Sequence, residues 1–105
     1  MSDVLTRLEN TIGERRGASP DSSYVAALFV KGREKIAQKV GEEAVETVIA
    51  ALSGDPAKLT SEAADLIFHL LVLLADAGLN LDEVLAELDR REGLSGLDEK
   101  AARQE

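Results

Sequence analysis

Carboxylates recur in pairs at two points of the sequence, and their spacing suits metal chemistry. Glu43 and Glu46 are three residues apart, and so are Glu62 and Asp65. On an α-helix, residues three or four apart share a face, so each pair would project from one side of its helix. Glu42 lies four residues before Glu46 and shares that face. Acidic pairs also occur on solvated helix faces, so one pair alone is weak support for a ligand site.

The two pairs lie at similar distances on either side of Gly54. The stretch SGDP reads as a helix stop followed by a helix start, with Asp55 as cap and Pro56 at the first helical position. If the chain folds back there, the pairs come level across a hairpin, at about 1.5 Å of rise per residue. Four converging carboxylates repel unless protons or cations neutralise them, and oxygen-only ligands favour Mg²⁺ or Mn²⁺. The candidate metal ligands are Glu43, Glu46, Glu62 and Asp65.

Basic residues precede the first acidic pair and could hold an anion. Lys35 and Lys39 are four apart on the face that continues to the glutamates. A break before them lies near a helix N-terminus, where backbone N–H groups favour anions. The candidate phosphate-binding residues are Lys31, Gly32, Arg33, Lys35 and Lys39. The alternative is ordinary pairing of Lys39 with Glu43, with Lys35 solvated.

The single histidine and the single tyrosine each have two interpretations. His69 lies four residues after Asp65, where it could line the site, but a lone histidine in an apolar stretch is typical of a core or interface. Leu66 stands three residues before it, so the Glu-x-x-His feature of di-iron bundles is absent. Tyr24 could contact a ligand, although we expect it to be buried beside Ala27.

Apolar residues recur at helical spacing along most of the chain, which predicts an all-α fold of about five helices. We expect one domain over residues 1–91, and a polar tail over 92–105 that is mobile or weakly helical. Asp21 or Ser22 is the expected cap of the second helix. A break near residues 59 and 60 is an alternative to one continuous fourth helix. The predicted helices cover about 3–16, 22–31, 33–53, 56–77 and 81–91.

Composition excludes several partners. The chain has 105 residues, 20 acidic and 12 basic, and a net charge of -8, which disfavours nucleic acid and anionic membranes. It has no cysteine and no signal-peptide pattern, so we expect a cytoplasmic protein without disulfides. The longest apolar run, residues 66–75, is too short to cross a bilayer. That run is apolar nearly all round, so we expect a homodimer to bury it, a monomer core being the alternative.

The acidic motifs resemble those of a known superfamily. Glu-Glu-x-x-Glu at 42–46 followed by Glu-x-x-Asp at 62–65 resembles the signature of the MazG-type all-helical nucleotide pyrophosphohydrolases. Within these, the segments 23–51 and 61–91 closely resemble the phosphoribosyl-ATP pyrophosphohydrolases of histidine biosynthesis. The likeness covers roughly residues 4–91, and its most specific part is KGREKIAQKVGEEAVE.

This resemblance implies a fold, a reaction and an assembly. The fold is a MazG-like helical bundle completed by homodimerisation, with sites near the subunit interface. The reaction is the Mg²⁺-dependent hydrolysis of 1-(5-phosphoribosyl)-ATP to 1-(5-phosphoribosyl)-AMP and pyrophosphate in the cytoplasm. The resemblance assigns metal binding to the four candidate carboxylates. It leaves the role of Glu42 open, which could assist a second metal or the attacking water. Together Glu42, Glu43 and Glu46 are the predicted catalytic residues, Glu42 or Glu46 accepting a proton from water.

Two other functions stay open at this point. One is a house-cleaning pyrophosphatase that acts on free nucleoside triphosphates with the same metal chemistry. The other is a non-catalytic acidic helical protein that acts as a dimerisation adaptor and binds no metal.

Overall fold

The computed structural model describes residues 2–93, and it describes side chains from residue 4 onward. This part of the chain contains no strand, which confirms the all-α prediction. The predicted tail lies outside the described residues, except for a turn at Glu92 and Gly93. The helices are α1 (Ser2–Arg15), α2 (Tyr24–Lys31), α3 (Arg33–Ser53), α4 (Pro56–Asp76) and α5 (Leu81–Arg91).

A tight turn joins α3 and α4 into the predicted hairpin. Gly54 ends α3 in the left-handed region, with φ of 81°, which a side chain would disfavour. The Asp55 side chain then caps α4 by accepting from the N–H groups of Ala57 and Lys58. The predicted fourth helix is continuous, and the alternative of a break near residues 59 and 60 is wrong, because the Leu59 N–H donates to the Asp55 carbonyl at 3.1 Å and the first turn closes. The two longest helices are therefore antiparallel neighbours.

The cap of α2 differs from the expected residue. Ser23 caps this helix, because its hydroxyl accepts from the Ala26 N–H at 3.1 Å. The expected caps, Asp21 and Ser22, instead donate their N–H groups to Ser19 in the preceding turn. All three are capping residue types, so the tertiary position of the turn decides which of them begins the helix.

The core lies where the first four helices meet. Six large apolar side chains from these helices are buried in one cluster, and burying each stabilises the fold by about 1.5–3 kcal/mol. The cluster fixes α2 and α3 against α4 at the end remote from the Gly54 turn. Its members are Ile12, Val25, Leu28, Ile36, Leu71 and Val72.

The fifth helix is attached mainly by its first turn. Asn80 and Glu83 form a capping box, with each side chain accepting from the other residue's N–H at 3.0 Å. The Leu81 N–H donates to the Glu9 carboxylate at 2.6 Å, which ties α5 to α1. None of its described residues is fully buried, and Leu88 is 56% exposed.

Large apolar side chains also remain exposed on the α3–α4 hairpin. On α3 they follow helical spacing and are between 56% and 83% exposed: Val45, Val48, Ile49 and Leu52. On α4, Ile67 is 45% exposed and Leu70 is 40% exposed. Across residues 2–93, no single helix is long and apolar enough to cross a membrane. Among these residues, only α4 and α5 taken together have the length and apolar composition, and the pair is bent by 108°.

Two arginines hold the carboxyl end of α4. The Arg33 guanidinium donates to the Asp76 carboxylate and to its carbonyl, both at 2.9 Å. Arg16 donates to the Ala75 carbonyl at 3.0 Å and lies 4.5 Å from the centre of the Phe29 ring. Cations at a helix C-terminus also complement the helix dipole. These contacts join the end of α1 and the start of α3 to the end of α4.

Replacing Asp76 with asparagine is expected to lower the free energy of unfolding by about 1 kcal/mol. This is less than the usual loss for a charged hydrogen bond, because Arg33 is exposed to solvent. The side chain of Asp76 is only 13% exposed, and the variant loses the charge that Arg33 contacts. Urea denaturation followed by circular dichroism measures the change. Asp21→Asn is the matched control, because its carboxylate is exposed and forms no ion pair with a described residue. Equal effects of the two substitutions would contradict the role assigned to Asp76.

Candidate metal and phosphate site

Three of the four predicted metal ligands converge across the hairpin. One carboxylate oxygen from each of Glu43, Glu62 and Asp65 lies within 4.8 Å of the others. Glu43 is buried, Glu62 is half-buried and Asp65 is exposed, so the group opens toward solvent on the α4 side. The turn at Gly54 thus brings the two acidic motifs level, as the spacing predicts. Their binding of a metal stays a prediction.

A threonine ties the two helices together at the acidic group. The Thr47 hydroxyl donates to the Glu43 carbonyl at 2.7 Å and lies 3.3 Å from the Glu62 carbonyl. One side chain therefore joins the backbones that carry two of the three carboxylates. Sequence reasoning missed Thr47, although its position four residues after Glu43 places it on the same face of α3.

The fourth predicted ligand, Glu46, lies beside this group and not within it. Glu46 is exposed, one turn along α3 from Glu43. Burial raises the pKa of Glu43, and the charge of Glu46 raises it further. Both effects favour the protonated form of Glu43 when no cation is bound.

Lysine and glutamine contact the first glutamate of the motif. The Lys39 Nζ lies 3.4 Å from the Glu42 carboxylate and 3.9 Å from that of Glu43. The hydrogen bond from Gln38, at 2.8 Å, and that from Lys39 lower the pKa of Glu42. Desolvation lowers the pKa of Lys39, but Tyr24, Glu42 and Glu43 outweigh it and raise the pKa above its usual value. Gln38 is a contact that sequence reasoning missed, although it stands four residues before Glu42.

The other predicted phosphate-binding residues precede the acidic group, at the end of α2 and the start of α3. Lys35 is half-buried, and its charge also lowers the pKa of Glu42, after the hydrogen bonds of Gln38 and Lys39. Lys31 is exposed at the end of α2. Arg33 contacts Asp76, which lies roughly 16 Å beyond Asp65 along α4. Gly32 joins α2 to α3 with φ of 95°.

The histidine lies directly behind the acidic group and bonds to a tyrosine. His69 is 6% exposed, with Nδ1 2.8 Å from the Asp65 carbonyl and Nε2 2.7 Å from the Tyr24 hydroxyl. The expected burial of Tyr24 is wrong, since this residue is 52% exposed. Tyr24 is the first residue of α2, and one face of its ring stacks on Phe68 while the rest stays exposed. Through His69, Tyr24 is connected to the backbone of Asp65.

A cleft of about 510 Å³ runs beside the acidic group. This volume is within the range of small-molecule sites. All of its lining residues belong to α3, so one helix supplies the described wall: Gln38, Lys39, Gly41, Glu42, Glu43, Val45 and Glu46.

The acidic group fits a hard divalent cation. Oxygens that surround one Mg²⁺ or Ca²⁺ ion at its usual bond lengths are about 3–5 Å apart. Glu43, Glu62 and Asp65 already meet this spacing, and carboxylate ligands without cysteine suit Mg²⁺ or Mn²⁺. These three residues could hold such an ion with little movement.

Replacing Glu43 with glutamine is expected to stabilise the cation-free protein by about 1 kcal/mol at neutral pH, because one of the mutually repelling charges is removed. The raised pKa means that wild-type stability falls as pH rises above the ordinary glutamate value of about 4.3, until the folded pKa is passed. The variant lacks this loss. Urea denaturation in a chelator between about pH 4 and pH 8 measures both curves.

Glu14→Gln is the matched control for this measurement, since Glu14 is exposed on α1. Its curve should follow the wild type. A Glu43→Gln protein that is less stable than the wild type at neutral pH would show that the carboxylate is stabilising without a cation.

Comparison with known proteins identifies the family. The family profile described as phosphoribosyl-ATP pyrophosphohydrolase matches residues 5–92. A phosphoribosyl-ATP pyrophosphatase of Rhizorhabdus wittichii is 68% identical over 98% of this chain and 97% of its own length. Proteins of the same name from Erythrobacter litoralis and Dinoroseobacter shibae are 69% and 64% identical, covering 96% and 95% of this chain and 97% and 98% of their own. With its acidic motifs converging on a helical hairpin, the chain belongs to the phosphoribosyl-ATP pyrophosphohydrolase family.

Proposed function

We propose that this chain hydrolyses 1-(5-phosphoribosyl)-ATP to 1-(5-phosphoribosyl)-AMP and pyrophosphate, the second step of histidine biosynthesis. The observation that carries the proposal is the convergence of Glu43, Glu62 and Asp65 to within 4.8 Å, inside the segment 5–92 that matches this family. The names of the relatives, which match over nearly their whole length, support the same substrate. Water adds to the triphosphate, the bond between the α and β phosphates breaks, and pyrophosphate leaves.

The acidic group would hold Mg²⁺, with Mn²⁺ as the alternative. Glu43, Glu62 and Asp65 supply the converging oxygens, and Glu46 is the fourth predicted ligand. A bound divalent ion neutralises phosphate charge, lowers the pKa of water and stabilises the leaving pyrophosphate. Ligand carboxyls must be ionised, so a bound cation would also lower the raised pKa of Glu43.

The base that takes the proton from water is one of the two exposed glutamates. Glu42 already accepts from Gln38 and Lys39, which lower its pKa and make it the weaker base. Glu46 lies outside the group of three but next to Glu43, so we assign Glu46 as the base that accepts the proton from water. This assignment leaves Glu42 the task of holding Lys39.

Lys39 is the cation best placed for the substrate's phosphates. Its Nζ lies within 4 Å of the carboxylates of Glu42 and Glu43, and it lines the cleft. Lys35 adds positive charge on the same side of α3. Because the chain carries a net charge of -8, a polyphosphate depends on these local cations and on the metal for attraction.

The active assembly in this proposal is a cytoplasmic homodimer. The exposed apolar stripe of α3 borders the cleft, and Val45 belongs to both. A second copy seated on this stripe would bury apolar surface and give the cleft an opposite wall. The absence of cysteine fits a reducing compartment.

Purified protein with Mg²⁺ and phosphoribosyl-ATP is expected to release pyrophosphate, and Asp65→Asn to lower kcat/KM by on the order of 100-fold or more, because the metal supplies several kcal/mol of charge stabilisation. A coupled pyrophosphate assay measures the rates, with Glu14→Gln as the control that keeps wild-type activity. Hydrolysis of deoxynucleoside triphosphates, but not of phosphoribosyl-ATP, would favour the house-cleaning function. No hydrolysis of either, with and without Mg²⁺, would favour the adaptor.

Replacing Val48 with arginine is expected to convert the dimer to monomers at micromolar concentration, because a charge would be buried in an apolar interface. Light scattering after size exclusion measures the mass. Val4→Arg, at a 59% exposed position on α1, is the control that keeps the dimer. A monomeric wild type, or a dimeric Val48→Arg protein, would contradict this assembly.

A further inference from the structure

The Thr47 hydroxyl shares its proton between the backbones of α3 and α4. A hydroxyl has one proton to donate, and a backbone carbonyl only accepts hydrogen bonds. The Glu43 carbonyl lies 2.7 Å from the hydroxyl oxygen, and the Glu62 carbonyl lies 3.3 Å from it. Donation to the carbonyl four residues earlier is common for threonine in helices and needs no special role. The contact with Glu62 is different, because it crosses to the other helix.

Side chains join α3 to α4 by hydrogen bonds at two points in the described part of the chain. Arg33 bonds to Asp76 at the end remote from the turn, ten residues before Glu43. Thr47 bonds to Glu62 about one helical turn beyond Glu43. Thr47 is therefore the polar contact that holds the two helices together beside the acidic group.

Apolar packing between the two helices is sparse at this level. The fully buried residues of α3 are Ile36, Glu43 and Ala50, so about two helical turns separate Glu43 from each buried apolar neighbour. Beyond Thr47, a second cleft of about 230 Å³ opens at the turn. Its lining residues are Ala50, Ala51, Gly54, Asp55, Pro56 and Leu59. With little packing there, the Thr47 contact has a larger share in fixing the spacing of the helices.

We propose that Thr47 is a positioning residue for the metal ion: its hydroxyl holds α3 and α4 at the spacing at which the three converging carboxylates can share one cation. This inference rests on the proposed function. The carboxylates of Glu43, Glu62 and Asp65 repel one another when no cation is bound, which favours a wider hairpin. The hydroxyl resists this opening, so the ligands are already close together when the cation arrives.

Replacing Thr47 with valine removes the hydroxyl and keeps the size and branching of the side chain. The expected result is a dissociation constant for Mn²⁺ raised about two- to tenfold, the effect of one lost hydrogen bond. Titration followed by electron paramagnetic resonance of free Mn²⁺ measures this constant without any activity. Thr47→Ala should raise the constant in the same way, although it places no second methyl group against the carbonyls. Thr47→Ser keeps the hydroxyl and should bind Mn²⁺ as the wild type does.

Thr60→Val is the matched control for the local hydrogen bond. The exposed Thr60 hydroxyl donates to the Pro56 carbonyl at 2.9 Å, a bond of the same kind that lies entirely within α4. Its removal should leave the Mn²⁺ dissociation constant at the wild-type value. An effect as large as that of Thr47→Val would overturn the inference, because the contact between the helices would then not be the cause.

The Mg²⁺ dependence of activity separates positioning from a folding defect. In Thr47→Val, the Mg²⁺ concentration for half-maximal hydrolysis of phosphoribosyl-ATP should rise by the same factor as the Mn²⁺ constant. At saturating Mg²⁺, kcat should stay within about twofold of the wild type, because the occupied group is restored. A structural defect would instead lower kcat at every Mg²⁺ concentration and would overturn the inference.

The binding measurements distinguish this inference from the proposed function. Unchanged Mn²⁺ affinity in Thr47→Val and Thr47→Ala, with a wild type that binds the ion, would overturn the inference alone. A loss of affinity that Thr47→Ser shares would do the same, because the hydroxyl would not be its cause. A wild type that binds no Mn²⁺ and releases no pyrophosphate would overturn the proposed function and this inference with it.

Discussion

The mutual repulsion of three carboxylates is the constraint on which the rest of the structure depends. Two ionised carboxylates whose oxygens are at most 4.8 Å apart repel by roughly 3 kcal/mol at an effective dielectric of about 20. Free helices would separate under that force. Here the Gly54 turn and the Thr47 hydroxyl join the backbones near the group. Burial in the core of Ile36 on α3, and of Leu71 and Val72 on α4, holds the far end.

The same constraint explains where positive charge is placed around the site. Lys39 is shared by two glutamates, because its ammonium lies within 4 Å of the carboxylates of Glu42 and Glu43. This compensation is partial, because a lysine carries only one positive charge. A divalent cation would complete the neutralisation, and a polyphosphate could then enter an otherwise acidic chain. In the proposed function, the site would select its ligand through the metal ion and Lys39 together.

Much of this arrangement follows from spacing, and the rest depends on tertiary contacts that spacing does not contain. Helical periodicity and the SGDP turn predict the hairpin, and with it the approach of Glu43 to Glu62 and Asp65. Residues three apart on a helix point roughly 60° apart, however. Glu43 points into the hairpin, so Glu46 is directed toward solvent and lies outside the group.

Other differences have the same origin in long-range contacts. Arg33 looks like an anion-binding residue in the sequence, but its partner Asp76 is 43 residues away along the chain. The exposure of Tyr24 depends on how α2 lies against α4, which residue types near position 24 do not specify. Local patterns thus predict which residues share a helix face, while pairing between helices decides which of them reach the site.

One helix carries both the site and the surface available for assembly. The acidic residues of α3 alternate along its length with Val45, Val48 and Ile49, each more than half exposed. The cleft is lined by α3 alone, so whatever covers the apolar stripe also stands next to the cleft. A substitution on this helix can then alter assembly and chemistry together. Separating the two effects requires measuring mass and rate on the same variant.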